Sequence, residues 1–346
     1  MFITAKKSQN QKSYISPMFQ KTIYCICLLV AGTMAMAQQP AKKPVTIIFD
    51  TDMGPDYDDV GAIALLHALA DSGQAKILAT IASTKYDGVA AVLNVLNTYF
   101  NRPDMPVGVP KGNALKLRDV QHWTDTLLAK YPHTIKSNDE AQDAIDVYRK
   151  TLASQPDQSV TIVTVGFLTN LAGLLNSKPD QYSKLNGKEL IKKKVKQLVC
   201  MAGKFPSGDE FNVDRDAVSS RTVFDNWSTP VIFSGFEIGM KIKTGLPIVH
   251  NANIHHSPVK DVFTICTKFP EDSMGRMSWD ETAALVAVKG YQPYYRLVEG
   301  KINVAANGSN TWDANGKGQF YLVETAPVET VKSIINTLMM HQPVKK

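Results

Sequence analysis

Cysteine and histidine are scarce in this chain of 346 residues, with four of the first and seven of the second. Cys25 and Cys27 sit in an apolar run near the N-terminus, which leaves Cys200 and Cys266, both in apolar settings. One disulfide at most can form between them, so a disulfide-stapled scaffold is excluded and two buried thiols are expected. The histidines are scattered. His255-His256 reads as a turn pair and His67 sits on an otherwise apolar helix, neither with the acidic partner and spacing of a zinc site. Charge of one sign is also missing, because 38 basic residues face 32 acidic ones. Internal repeats, low-complexity tracts and long Pro/Gly/Ser linkers are absent too, which favours one domain.

No apolar run spans a bilayer comfortably, but one has another use. Met18–Ala37, MFQKTIYCICLLVAGTMAMA, carries a lysine, then a short apolar stretch, then Ala35-Met36-Ala37 as a small-residue cleavage pattern. Residues 1–37 are therefore expected to be a signal peptide, with Met18 as an alternative start, and the protein to be exported to the periplasm or secreted. Neither cysteine follows a lipoprotein pattern, so no membrane anchor is expected after cleavage. Cleavage would also remove Lys6, Lys7, Lys12 and Lys21 and no acid, taking the formal charge of +6 close to neutral. Nucleic acid is not expected as a partner on that balance. Residues 38–44 read as a linker and 45–346 as a single catalytic domain.

Beyond the linker, apolar runs alternate with helical patterns, which points to βαβ units. The pattern predicts strands at 46–50, 76–83, 105–109, 160–165, 197–202 and 231–236. Helices are expected at 60–70, 89–100, 141–153, 171–175, 217–227, 280–288 and 328–340. Residues 302–305 and 320–323 read as a hairpin-like pair, and Gln121-His122-Trp123 as part of a polar loop. The expected fold is α/β, an open, mostly parallel central sheet flanked by helices.

The densest chemical signal lies at Val45–Asp59, VTIIFDTDMGPDYDD, where a buried-type strand empties into Asp50, Asp52, Asp56, Asp58 and Asp59. Like charges raise one another's pKa, so such a group stays ionised only around something positive, and a hard cation is the simplest candidate. Ligands in open α/β sheets bind beyond the carboxyl ends of the strands, where this cluster would lie. A solvated acidic loop is the bland alternative, but such loops rarely follow directly on a buried strand. An EF-hand loop fails, since Gly54 falls fifth rather than sixth from Asp50. A phosphatase of the haloacid dehalogenase type fits Asp50-Thr51-Asp52 but not Met53-Gly54-Pro55.

The arrangement Asp50-Thr51-Asp52-x-Gly54-x-Asp56-x-Asp58-Asp59 closely resembles the opening signature of the calcium-dependent nucleoside hydrolases. Val165-Gly166-Phe167-Leu168-Thr169-Asn170, Met201-Ala202-Gly203, Glu210-Phe211-Asn212 and Trp279-Asp280 match further segments in the family's order. The resemblance implies an N-glycosidase that cleaves ribonucleosides to free base and ribose, with a nucleophilic water held by Ca²⁺. It implies carboxylate ligands from Asp52, Asp59 and Asp280 and a main-chain carbonyl ligand at Val165. Asp52 would be the general base, Asp58 would hold a ribose hydroxyl, and Glu210 and Asn212 would clamp the sugar from the other side. A homodimer or homotetramer would be usual.

Three departures from the family pattern stand out. Trp279 occupies the place where many members have a general-acid histidine, and it resembles the purine-preferring branch, in which ring stacking activates the leaving base. Trp123 is the candidate for a second stacking face, against the reading of an ordinary loop aromatic. Thr84 stands where an asparagine near the ribose is common. The loop before Glu210 is short, so the asparagine that contacts the sugar's 5′ end in the family has no counterpart; Lys204 and Ser207 are the candidate substitutes, and a modified or phosphorylated 5′ position is the alternative. Glu210 and Asn212 could instead merely cap a helix near Asp216. A calcium-dependent ribose- or nucleoside-binding protein without turnover is the alternative to an enzyme.

Overall fold

The computed structural model describes residues 1–2 and 43–344, so all but the first two residues of the expected signal peptide and most of the linker lie outside the described residues. The described strands are β1 (Val45–Thr51), β2 (Ala75–Ala82), β3 (Val107–Val109), β4 (Gln142–Asp143), β5 (Val160–Thr164), β6 (Val195–Met201), β7 (Ser207–Gly208), β8 (Val231–Ser234), β9 (Lys243–Thr244), β10 (Arg276–Met277), β11 (Tyr295–Val304), β12 (Asn310–Asp313) and β13 (Gln319–Glu324). Eleven of them form one sheet in the order β4-β3-β2-β1-β5-β6-β8-β13-β11-β12-β7. The strands from β4 to β13 run parallel, and β11, β12 and β7 are added antiparallel at one edge. β9 and β10 pair separately.

β1 shows why the sheet sits where it does. Its apolar residues are buried on both faces, as a strand covered by helices on each side requires. Ile47 and Phe49 point into a core shared with the helices Asp58–Asp71, Val89–Tyr99 and Trp279–Lys289. Ile48 points into the opposite core, with the helices Ala144–Ala153, Thr169–Asn176 and Gly187–Lys194. β1 is flanked by β2 on one side and β5 on the other, so the chain reverses its direction of strand addition between β1 and β5. That reversal opens a crevice at the carboxyl ends of these two strands.

Two helices converge there. Asp58–Asp71 follows β1 and packs against Trp279–Lys289, and small residues let them approach. A side chain at Gly61 would collide with the Glu281 carboxylate. Both helices carry acids in the first turn, Asp58 and Asp59 on one, Asp280 and Glu281 on the other. Acids at helix N-termini are favoured by the exposed N–H groups and the helix dipole.

Several local readings change. Trp123 begins the helix Trp123–Lys130 instead of lying in a loop, and Gly187–Lys194 and Pro258–Cys266 are helices that the apolar periodicity did not single out. Residues 302–304 pair with 310–312, not with 320–323, which instead face 296–299. Cys200 and Cys266 are free and buried. No described helix is long and apolar enough to cross a membrane.

Candidate active site

A cavity of about 220 Å³ lies at the crevice, lined by Asp52, Asp56, Asp58, Val165, Met201, Glu210, Phe211, Asn212, Phe236, Arg276, Trp279 and Asp280. Its floor is acidic. One carboxylate oxygen from each of Asp58, Asp59 and Asp280 falls within 4.8 Å of the others, and all three residues are buried. Asp52 lines the same cavity. Burial, then mutual repulsion, pushes the carboxyl groups of Asp52, Asp59 and Asp280 well above the usual carboxylate range.

The hydrogen bonds show how each acid is held. The Thr51 hydroxyl donates to Asp59 Oδ1, while Asp59 Oδ2 is buried with no partner. Asp58 Oδ2 accepts the backbone N–H of Trp279 at 3.1 Å and of Asp280 at 3.3 Å, tying the first acidic segment to the start of the second helix. An orphaned buried carboxylate oxygen facing further carboxylates fits a hard divalent cation. The residues that can hold it are Asp59 and Asp280, joined by Asp58 or Asp52. The Val165 carbonyl accepts Asn212 Nδ2 at 2.9 Å, and its second lone pair remains for a ligand.

Glu210 and Asn212 also line the cavity. Glu210 caps the helix Phe211–Arg215, accepting N–H groups from Asn212 at 2.9 Å and Val213 at 3.2 Å, and it also accepts Gly203 N–H at 2.9 Å. Burial raises its carboxyl to about 7 against those stabilising bonds. The capping role is therefore real, but the helix capped is this short one and not the helix Ala217–Asn226, which Asp216 caps. Capping and lining the cavity are compatible.

Trp279 lines the cavity with Phe236 beside it, the ring centroids 5.4 Å apart, and its indole N–H donates to the Phe236 carbonyl at 2.8 Å. Trp123 does not reach the cavity. It is fully buried in the core, because it opens a helix whose apolar side packs inward, so it cannot serve as a second stacking face. Thr84 is likewise sealed. Its hydroxyl is directed at the carbonyls of Leu115 and Leu117, both at 3.1 Å, and holds that loop in place. Asp50 is also withdrawn, accepting Tyr148 Oη at 2.8 Å and Asn170 Nδ2 at 3.0 Å. A phosphatase that attacks with the first aspartate of Asp-x-Asp needs that carboxylate in the cavity, so the haloacid dehalogenase reading loses its nucleophile.

The sequence reading missed Arg276, Phe211 and Phe236 as cavity residues. Arg276 is the one with consequences. Its guanidinium pairs with Asp56 and with Asp58, where Nε lies 3.1 Å from Oδ1, and it lies 5.1 Å from the ring centroids of both Tyr57 and Trp279. An arginine three residues before Trp279 was the available signal, since a cluster of acids requires a cation somewhere. Phe211 lies within the segment Glu210-Phe211-Asn212 and Phe236 follows β8, and only the folded backbone brings both rings to the cavity.

The family model described as inosine-uridine preferring nucleoside hydrolase matches residues 47–334. A pyrimidine-specific ribonucleoside hydrolase, RihA, of Salmonella agona (strain SL483) is 30% identical over 227 residues, which cover 62% of this chain and 64% of that protein. The match thus spans somewhat less than two thirds of that relative's length. Among solved structures, a purine-preferring ribonucleoside hydrolase from Gardnerella vaginalis superposes with a TM-score of 0.67 at 16% identity, covering 85% of this chain and 98% of that one. A plant nucleoside hydrolase, PpNRh1, does so with a TM-score of 0.64 at 21% identity, covering 86% and 99%. These two likenesses concern the fold, while the family model spans most of the catalytic domain; the chain belongs to the inosine-uridine preferring nucleoside hydrolase family.

Proposed function

We propose that this protein is an exported, calcium-dependent ribonucleoside hydrolase that releases free base and ribose, with purines preferred. The observation that carries the reading is the convergence of Asp52, Asp58 and Asp280 with Glu210, Asn212 and Trp279 on one cavity at the carboxyl edge of the sheet. Bound there, Ca²⁺ would supply the positive charge that keeps the aspartates ionised and lowers the pKa of a nearby water. Asp52 takes the proton from the attacking water as general base. Asp58 and Glu210 face the sugar with negative charge, which stabilises the oxocarbenium-like transition state formed as the glycosidic bond breaks. Asp58 acts from a fixed position, because Arg276 and two backbone N–H groups hold it.

Purine preference rests on Trp279, whose indole offers a stacking face for a two-ring base. No histidine lines the cavity among the described residues, so a proton for the leaving base would come from solvent to a ring nitrogen. Export rests on the Met18–Ala37 pattern, and cell fractionation with N-terminal sequencing of the mature chain tests it. A homodimer or homotetramer follows from the family resemblance, and light scattering on the purified protein tests that.

The deciding experiment is base release from inosine, adenosine and uridine by calcium-loaded protein, after chelation, and with Asp52→Ala. Calcium-dependent release is expected, faster for the purines, and reduced about 10²–10⁴-fold by the substitution, the range for loss of a general base. Preference for uridine would remove the Trp279 argument. Binding of all three nucleosides without any release would leave a binding protein instead of an enzyme.

A further inference from the structure

A base that leaves the sugar takes the electron pair of the broken C1′–N bond with it, so a hydrogen-bond donor at the base speeds its departure. Among the residues that line the cavity, Asn212, Trp279 and Arg276 carry a side-chain nitrogen. Asn212 Nδ2 is spent on the carbonyls of Val165 at 2.9 Å and Met201 at 3.1 Å. The Trp279 indole N–H is spent on the Phe236 carbonyl. Arg276 is different. A guanidinium has five N–H groups, of which Nε here donates to Asp58 Oδ1 and one on Nη2 to Asp56 Oδ1. Nη1 has only a long ion pair with Asp272 Oδ2, at 3.7 Å, so three N–H groups lack a hydrogen-bond acceptor among the described residues.

The guanidinium is also held in place. Its side chain is 11% exposed, Asp56 and Asp58 fix two of its nitrogens, and its backbone opens β10, paired with Thr244 of β9. It stands 5.1 Å from the centroid of the Trp279 ring, and Trp279 and Asp58 line the same cavity. One fixed cation therefore adjoins both the carboxylate read as facing the sugar and the ring read as facing the base. Donors fixed before the reaction cost no reorganisation when charge develops on the leaving group.

We propose that Arg276 is a catalytic residue that stabilises the departing base, donating from its spare N–H groups to acceptor atoms on the base. The inference rests on the hydrolase reading, with the ribose on the aspartates and the base at Trp279. Water adds to C1′ as Asp52 takes its proton, the C1′–N bond breaks, and the electron pair stays on the base nitrogen. Arg276 holds that anion by charge-assisted hydrogen bonds until solvent protonates it, and Asp52 returns its own proton to solvent. A guanidinium keeps its protons throughout, so Arg276 acts by donation and not by proton transfer.

The test compares inosine with 4-nitrophenyl β-D-ribofuranoside, whose nitrophenolate is stable as an anion and leaves unaided, in the calcium-loaded full chain and in Arg276→Met. The expected result is a kcat on inosine reduced about 10²–10³-fold, the range for removal of a donor to developing charge, with a much smaller loss on the nitrophenyl riboside. Equal losses on the two substrates would make Arg276 only a support for Asp58 and overturn the proposal, as would an unchanged rate on inosine. Hydrolysis of the nitrophenyl riboside but not of inosine by the unaltered protein also overturns it, since nothing then helps the base to leave. If Arg276→Met does not fold, Arg276→Lys decides by the same comparison, because it keeps the charge without the planar fork. If the unaltered protein hydrolyses neither substrate, the hydrolase reading fails separately, and calorimetry with hypoxanthine judges the contact. Binding weakened in the variant supports it, and equal binding overturns it.

Discussion

At the level of single residues, charge compensation decides most of what this protein can do. Arg276 is the cation that pairs with Asp58, whose side chain is only 2% exposed. Its own guanidinium is pushed upward by Asp58, Asp56 and Asp272 against the opposing effect of burial. Removing one partner of such a buried pair leaves the other charge uncompensated, so Arg276→Met is expected to cost about 3 kcal/mol in urea unfolding. Arg276→Lys should recover part of that loss, since it restores charge without the planar fork. His67 makes a separate prediction. Burial lowers its pKa from 6.5 to about 3, while Asn97 Oδ1 at 3.2 Å and the stacked Phe100 hold the neutral ring. The folded value lies below the unfolded one, so the unfolded chain binds more protons in that window. Stability is then complete above about pH 6.5 and falls as the pH drops toward 3, by up to about 1.4 kcal/mol per unit. His67→Gln should flatten this slope in acid-unfolding curves, and an unchanged slope would show that other groups set the acid limit.

At the level of elements, the site depends on how closely the ends of β1 and β5 approach. Gly166 follows β5, and a Cβ there would collide with the backbone nitrogen of Asp52 and lie 2.5 Å from Ser83 Oγ. Gly166→Ala is therefore expected to destabilise the fold by about 2 kcal/mol through overpacking. It should also lower base release more than the unfolding loss explains, because the strand end that moves carries Asp52; calorimetry and kinetics on the same sample separate the two effects. The central parallel strands were readable as short, largely apolar runs, and the helices Asp58–Asp71 and Trp279–Lys289 as apolar patterns with acids in the first turn. The helix at Trp123 was not, because Gln121 and His122 give its start a polar, loop-like character. Asn310–Asp313 begins a stretch crowded with turn-type residues (Asn310, Asp313, Asn315, Gly316, Gly318), yet pairing with β11 and β7 makes it a strand. Cross-strand partners of that kind override local preference.

At the level of the whole molecule, five stretches distant in sequence meet at the carboxyl ends of the sheet's strands, and the metal reading belongs to this scale. A cation bound only in the folded state stabilises by mass action, about 2.7 kcal/mol at 100 times its Kd. Calcium should therefore raise the melting temperature by several degrees and chelation should reverse it, while millimolar calcium with no effect on melting would remove the aspartate site as a metal centre. The sequence by itself determined the α/β class, the strand that delivers the acids, and the segments at Val165, Glu210 and Trp279, because alternation of apolar runs and short motifs are local properties of a chain. Only the tertiary structure decided which candidates share a cavity. It buried Trp123 and Thr84, since a side chain's exposure depends on what packs over it, and it withdrew Asp50 behind Tyr148 and Asn170. It also brought Arg276 to Asp56 and Asp58, more than two hundred residues away along the chain, because electrostatic pairing depends on distance in space and not along the sequence.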